Sequence, residues 1–570
     1  MASAAAAAAA AATEAASAWR RLVWLPAILA AGSGAACVGH IGDPTTTGGG
    51  PGTGPLACDA TTLHAGDAPV RRMTRFEYDS TVRDLLGDTS APSSTFPADE
   101  VAGIFNNQAS ALVVTQLLAE GYMNAAEQVA KSAVQNLGPL VGCDPQKDGA
   151  AACGAQFIES FGKRAFRGPL DADARALLTS VFQAGLTQWD FPTGVRLVIE
   201  AALQSPRFLY RLELGMPDPA APDAAKLDDH EVASRLSYLL WGSMPDDQLF
   251  AAADAHALGK PEEIAKQARR MLADPRARDV VANFHEQWLG LGKLDTLDKD
   301  PAVFPAYNPA LKTGWRQETM AFVNDVVFDG TGDLATLLTA PYTMMNVDVA
   351  AYYGVSGGPT GSAFQHVDLD PKQRAGLLTQ PSVLAVNAHA NQTSPVHRGK
   401  FVRERLLCEP ISPPPPNVKA VPPEVDPNAT TRDKFAQHSK DPYCAGCHHL
   451  MDPIGFGFEH YDGIGLWRAE DHKLPVDATG AVTDSKDANG KFDGAIQLAQ
   501  RLAKSDEVRA CVVTQWFRYG HGRPDVKDDA CTIAQLQTTF ATAKYDIKEL
   551  LVALTQTDAF RYRKRVIPGQ

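Results

Sequence analysis

Cys444, Cys447 and His448 stand in the order C-x-x-C-H. Two thiols at this spacing match the two vinyl groups of haem, and the adjacent histidine is placed to ligate the iron as its proximal ligand. The reading is one covalent haem c per chain, with Cys444 and Cys447 as attachment points and His448 on the iron. Two other chemistries use the same residues. A redox disulfide between Cys444 and Cys447 needs a thioredoxin-like strand-helix setting, which the flanking sequence lacks. Zinc needs a fourth ligand beyond Cys444, Cys447 and one of His448 or His449, and no second C-x-x-C or H-x-x-x-H stands close by.

A sixth iron ligand decides between electron transfer and open-site chemistry. Met451 is too near His448 in the chain to reach the opposite haem face, which leaves Met344, Met345, His389, His397, His460 and His521 as candidates. The glycine-rich and aromatic stretch 450–465 follows the motif. Gly455 and Gly457 allow close backbone approach to a flat ligand, and Phe456, Phe458 and Tyr461 are candidate walls. A tight loop with buried aromatics fits the same residues. Asp452, Glu459 and Asp462 are cation candidates, although acids in such loops more often cap helices or form turns. Residues 485–496 imitate a calcium loop but carry Ile496 where the bidentate Glu belongs.

The rest of the chain must position this segment in a suitable compartment. Arg20 and Arg21 precede the apolar run 22–31, so residues 1–37 read as an export signal. The run ends in Gly34-Ala-Ala-Cys37, which resembles a lipoprotein signal with Cys37 acylated. Gly34 stands where Leu is usual, so plain cleavage and secretion is the alternative. The expected location is exported: periplasm, outer membrane as a lipoprotein, or extracellular. Membrane contact would come only through a lipid on Cys37. Of nine cysteines, Cys143 with Cys153 and Cys511 with Cys531 are candidate disulfides of an oxidising compartment, leaving Cys58 and Cys408 to pair or stay free.

Between the ends the hydrophobic period is helical. Val114, Leu117, Leu118, Tyr122, Ala125, Val129 and Ala133 share one face before Gly138, and Asp228 with Glu231 forms a capping-box start for a stripe ending at Gly242. Further stripes run through 69–86, 155–188, 192–213, 261–291, 313–328 and 496–519. Alternating strand patterns are scarce and short. The fold class is therefore mainly α: a multi-domain helical body with a small cytochrome-c-like helical and loop module. The expected divisions are the signal 1–37, a flexible linker 38–68, and helical domains 69–138, 150–214 and 225–355. A connecting module 365–418 ends in the Pro-rich spacer 411–418, taken as the main boundary, followed by the C-x-x-C-H module 430–475 and a C-terminal helical domain 476–565.

Several blocks resemble a known family. They are Arg72-Met-Thr-Arg-Phe-Glu-Tyr78, Phe161-Gly-Lys-Arg-Ala-Phe-Arg167, Ser205-Pro-Arg-Phe-Leu-Tyr-Arg211, Ser234-Arg-Leu-Ser-Tyr-Leu-Leu-Trp241, Asn391-Gln-Thr-Ser-Pro-Val-His-Arg-Gly399 and the C-x-x-C-H segment. In this order, over 69–565, the chain is similar to large exported proteins of planctomycetes and myxobacteria, the planctomycetal cytochrome c type, built of consecutive domains of unknown function. The resemblance implies haem binding at Cys444, Cys447 and His448 and supplies no reaction. His521 stands where that family has a small or aliphatic residue.

With 66 acidic against 53 basic side chains, a net charge of −13 argues against a nucleic-acid-coating surface. No H-E-x-x-H or P-loop is present. The leading function is a c-type haem protein that transfers electrons or assists an oxidation, with a redox partner or substrate that the sequence leaves unidentified. The alternative is an envelope protein binding polysaccharides or other macromolecules, with the C-x-x-C-H segment structural or zinc-binding. A hydrolase using Glu318 or Glu404 rests only on acids in helices. The stretch 391–405 reads as a capping loop with a solvated charged face, the other option being a surface that docks the haem module.

Overall fold

The computed structural model describes Cys58 and residues 62–413, 423–436 and 442–565, with only the backbone of 442 and 443. The export signal 1–37 with Cys37, the linker as far as residue 57 and residues 414–418 of the spacer lie outside the described residues. Helix accounts for 56% and strand for 9%, a mainly α body. Among the described residues, no helix is long and apolar enough to cross a membrane.

Two hydrophobic cores organise the helices. The first gathers α1 (Arg75–Leu86), α2 (Gln116–Ala133), α3 (Ala150–Phe166), α4 (Ala172–Gln188) and α5 (Phe191–Leu203) around Tyr78, Tyr122, Phe157 and Phe182. The second takes α6 (Asp229–Trp241), α7 (Pro261–Leu272), α8 (Arg276–Trp288) and α9 (Leu311–Asn324). It continues through α10 (Pro381–Val386), α11 (Pro395–Phe401), α12 (Pro442–Gly455), α13 (Gly494–Leu502), α14 (Asp506–His521) and α15 (Ile547–Gln556). Its centre is aromatic: Phe284 stacks on Trp516 at 3.7 Å between ring centres. Apolar residues on both sides of the Pro-rich spacer belong to this one core.

Local chemistry sets the helix ends. Thr74 and Glu77 close a reciprocal capping box on α1, as Asp228 and Glu231 do on α6, which stops at Gly242 in the left-handed region. The long stripes are broken where turn chemistry outweighs periodicity. The stripe 155–188 divides at Arg167-Gly168-Pro169, 261–291 at Pro275, and 496–519 at Ser505, which N-caps α14. Strands are short. β1 (Arg71–Arg72) pairs antiparallel with β2 (Tyr210–Arg211), which puts Arg71 opposite Arg211. β3 (Met216–Asp218), β4 (Ala221–Lys226) and the C-terminal β5 (Tyr562–Lys564) form an antiparallel sheet with β4 in the middle.

Three disulfides staple this body: Cys143–Cys153, Cys408–Cys511 and Cys58–Cys531. The expected Cys511–Cys531 pair does not form. Cys511 lies in the middle of α14, which runs ten residues further to His521, about 15 Å of helix. That distance carries the chain away before it returns to Cys531, and Cys408 at the end of the π-helical turn Val402–Leu406 is the thiol that faces Cys511. Cys58 and Cys408, left over in the sequence, are thus both bonded, to different partners. Three disulfides fit a compartment outside the reducing cytosol.

Candidate functional site

α12 carries the C-x-x-C-H segment in its first turns. At 3.6 residues per turn, Cys444, Cys447, His448, Met451 and Gly455 lie along one stripe of this helix. α11 crosses the C-terminal half of the stripe, and the contact is backbone to backbone. A Cβ on Gly399 would stand 1.9 Å from the Met451 carbonyl oxygen, and one on Gly455 would stand 1.8 Å from that of Pro395. The N-terminal half holds Cys444, half-buried, and Cys447, exposed, both as free thiols while the other described cysteines are bonded.

His448 is oriented from behind. Its Nδ1–H donates to the Asp452 carboxylate, at 3.0 Å from each oxygen, one turn further along α12. Asp452 is 1% exposed and His448 22%. That hydrogen bond, outweighing partial burial, holds the imidazole above the usual histidine range. A carboxylate on Nδ1 fixes the tautomer and raises the basicity of the ring as a ligand. Two thiols and an oriented imidazole on one accessible face suit a covalent haem. A closed zinc centre is less well served, because among the described residues no three His, Cys, Asp or Glu side chains converge as a metal cluster.

The residues after the motif serve packing. Gly457 accommodates the Phe492 ring, Phe458 and Tyr461 are part of the second core, and Arg432 lies 4.6 Å over the Phe456 ring. Glu459 accepts from Thr393 at 2.8 Å and pairs with Arg468 at 3.0 Å, while Asp462 accepts from the backbone of Ile464 and Leu466. These acids form a turn and an ion-pair network, and Asp452 belongs to His448.

The stretch 391–405 is no solvated face. Ser394 N-caps α11. Arg398, 2% exposed, donates Nη1 to the carbonyls of Phe458 and Tyr461 and Nη2 to that of Asp462, at 2.7–2.9 Å. Arg403 is equally buried, pairing with Glu409 at 2.8 Å and donating to the Thr483 carbonyl. Each guanidinium thus fastens α11 and the turn after it to loops around α12. Charge density in the sequence suggested solvent, but a planar fork of donors can instead serve carbonyls of a neighbouring loop.

The candidates for a sixth ligand are scattered. His389 and His397 come together, with ring centres 5.1 Å apart. His460 stacks on Trp467, with its Nδ1 2.9 Å from the Arg468 carbonyl oxygen. Met345 is in a separate small apolar cluster with Val349 and Ala350, Met344 packs at the edge of the second core, and His521 lies against Phe517. Asp452 is the site residue that sequence reasoning misjudged, and its spacing of four from His448 on one helix was the available signal.

Glu318 has a structural setting. It is completely buried on α9, where one oxygen accepts from Thr343 Oγ1 at 2.9 Å and from the Tyr353 hydroxyl at 2.7 Å. Burial pushes its carboxyl up to about 7. A carboxyl raised in the folded state gives stability that is intact below its unfolded value and is lost as pH rises through the folded one. Urea unfolding of the wild type is therefore expected to lose about 2–3 kcal/mol between pH 5 and pH 8 at this site. Glu318→Gln, which keeps the acceptor and cannot ionise, flattens that part of the profile. Equal pH dependence in both proteins would remove the assignment. Glu404 is half-buried and within 3.6 Å of Lys400, an ordinary helix pair.

Five family models match the chain in sequence. Residues 71–135 match DUF1587, 153–213 match DUF1595, 227–355 match DUF1592, 374–471 match DUF1588 and 489–560 match DUF1585, each described as a protein of unknown function. The DUF1588 model bears the name PSCyt3 and contains α11, α12 and the loop that Arg398 holds. No curated protein and no solved structure matches the chain. Five such domains in unbroken order, with the C-x-x-C-H helix inside the fourth, mean that the chain belongs to the multi-domain family of planctomycetal cytochrome c type.

Proposed function

We propose that this is an exported c-type haem protein, with one haem on Cys444 and Cys447 and His448 as its proximal ligand. The observation that carries the reading is the pair of free thiols beside an imidazole whose Nδ1 is held by buried Asp452. A haem supplies one-electron chemistry when bound, for transfer to a partner or for an oxidation. The protein's own contribution is positional. Cys444 and Cys447 would hold the group on α12, Asp452 orients the His448 ring through Nδ1, and the Gly399 and Gly455 contacts hold the helix against α11. The disulfides and the signal-like start of the chain support export.

The test is a haem stain on a denaturing gel with a pyridine haemochrome spectrum, after export in a host that matures c-type cytochromes. Wild type is expected to carry one covalent haem per chain, and Cys444→Ala/Cys447→Ala to carry none. A colourless wild type from a host that matures a control cytochrome would refute the reading.

A further inference from the structure

We propose that the small cavity between Arg71, Arg211 and Arg235 is a binding site for one monatomic anion of chloride size. The backbone forces the charges together. β1 and β2 place Arg71 directly opposite Arg211, and like charges across a ladder repel. Arg235 comes from α6, so groups tied to the first core meet one from the second. All three arginines are at most 7% exposed.

Among the described residues, two carboxylates pair with these three guanidinium groups. Arg71 Nη2 donates to Glu77 Oε1 at 2.9 Å, and Arg211 Nη1 stands 3.6 Å from the same oxygen. Arg211 Nη2 donates to Glu213 Oε1 at 2.9 Å, and Arg235 pairs with the other oxygen of Glu213. The remaining donors of Arg71 and Arg235 go in part to the carbonyls of Asn107, Ala559 and Phe560. Asp67, at the rim, is exposed and pairs with Lys564. Among the described residues, one positive charge of this cluster is left over in the interior. An unbalanced buried charge is unfavourable, and a monovalent anion would offset it.

One donor is also left over. Arg211 Nε is buried and has no hydrogen-bond partner. Arg211 lines a cavity of about 20 Å3 together with Arg71, Arg235, Glu213 and His521, and a smaller one of about 10 Å3 next to it. A space of this size takes one or two waters and suits a single monatomic ion. The chemistry is therefore that of a halide held by guanidinium N–H groups. Its place between the two cores makes it a clasp whose occupancy adds to stability by mass action. The site stands apart from α12 and does not rest on the haem reading.

The experiment uses the mature full-length chain. Crystals soaked in sodium bromide are read at the bromine edge, and thermal unfolding is compared in sodium chloride, sodium bromide and sodium gluconate at equal ionic strength. An anomalous peak within hydrogen-bond distance of Arg211 Nε is expected, with a midpoint at least about 2 °C higher in either halide than in gluconate. In Arg211→Gln the peak and the halide dependence both disappear. Bromide peaks on the surface with none in the cavity, or equal midpoints in all three salts, overturn the proposal. The wild-type arms decide it even if Arg211→Gln does not fold.

Discussion

Gly455→Ala is expected to destabilise the protein by about 2–4 kcal/mol, although alanine is the better helix former by about 1 kcal/mol. Gly455 has ordinary right-handed helical angles, so the backbone itself accepts a side chain. The obstacle is the Pro395 carbonyl, 1.8 Å from where the Cβ would stand. Main chain cannot rotate aside as a long side chain can, so α11 and α12 must part. Gly399→Ala meets the mirror-image obstacle at the Met451 carbonyl and is expected to cost a similar amount. Both variants are also expected to lower the yield of covalent haem, because the support of the helix bearing His448 is lost. Urea unfolding checks the first statement and haem staining per mole of protein the second. A Gly455→Ala midpoint equal to wild type would show that the two helices do not cross as described.

Arg398→Met is the second large effect, with an expected loss of about 3–5 kcal/mol. The methionine fills much of the same volume, so the cost is electrostatic rather than a cavity. Three carbonyls of the loop after α12 lose their donor. Glu459, 2% exposed and 3.8 Å from Arg398, loses one of its cationic neighbours and keeps its ion pair with Arg468. Although burial lowers its pKa to about 10, Arg398 stays charged at neutral pH. Arg398→Lys should recover only a part, because one ammonium cannot fork to three carbonyls. In the Arg398→Met background, Glu459→Gln should restore stability by relieving the stranded carboxylate, whereas in wild type it should not. Additive effects in that double-mutant cycle would disprove the coupling.

Much of the architecture was legible where its cause is local. The capping box at Asp228 and Glu231, the stop at Gly242 and the helix over Gln116–Ala133 follow from residues within a few positions of each other. Stripes such as 155–188 were over-extended because apolar period says nothing about where a turn interrupts it; Arg167-Gly168-Pro169 does. At the site, C-x-x-C-H was visible as a unit. The role of Asp452 was hidden because the loop-like composition after it masked a helix that continues to Gly455. Arg398 and Arg403 were misread because a charged residue is usually exposed, and the carbonyls that make their burial affordable lie 60 or more residues away.

The sequence by itself determined the mainly helical class, the placement of two thiols and an imidazole on one helical stripe, and the family to which the chain belongs. These depend on spacing along one segment, which the helical repeat converts directly into a shared face. Only the tertiary structure decided which cysteines bond, that α11 lies against α12 through two glycines, and that Arg71, Arg211 and Arg235 meet. Cys58 and Cys531 are 473 residues apart, and the two strands that oppose Arg71 to Arg211 are separated by most of the first core. Such contacts arise from burying apolar surface over the whole chain, so no short stretch of residues specifies them.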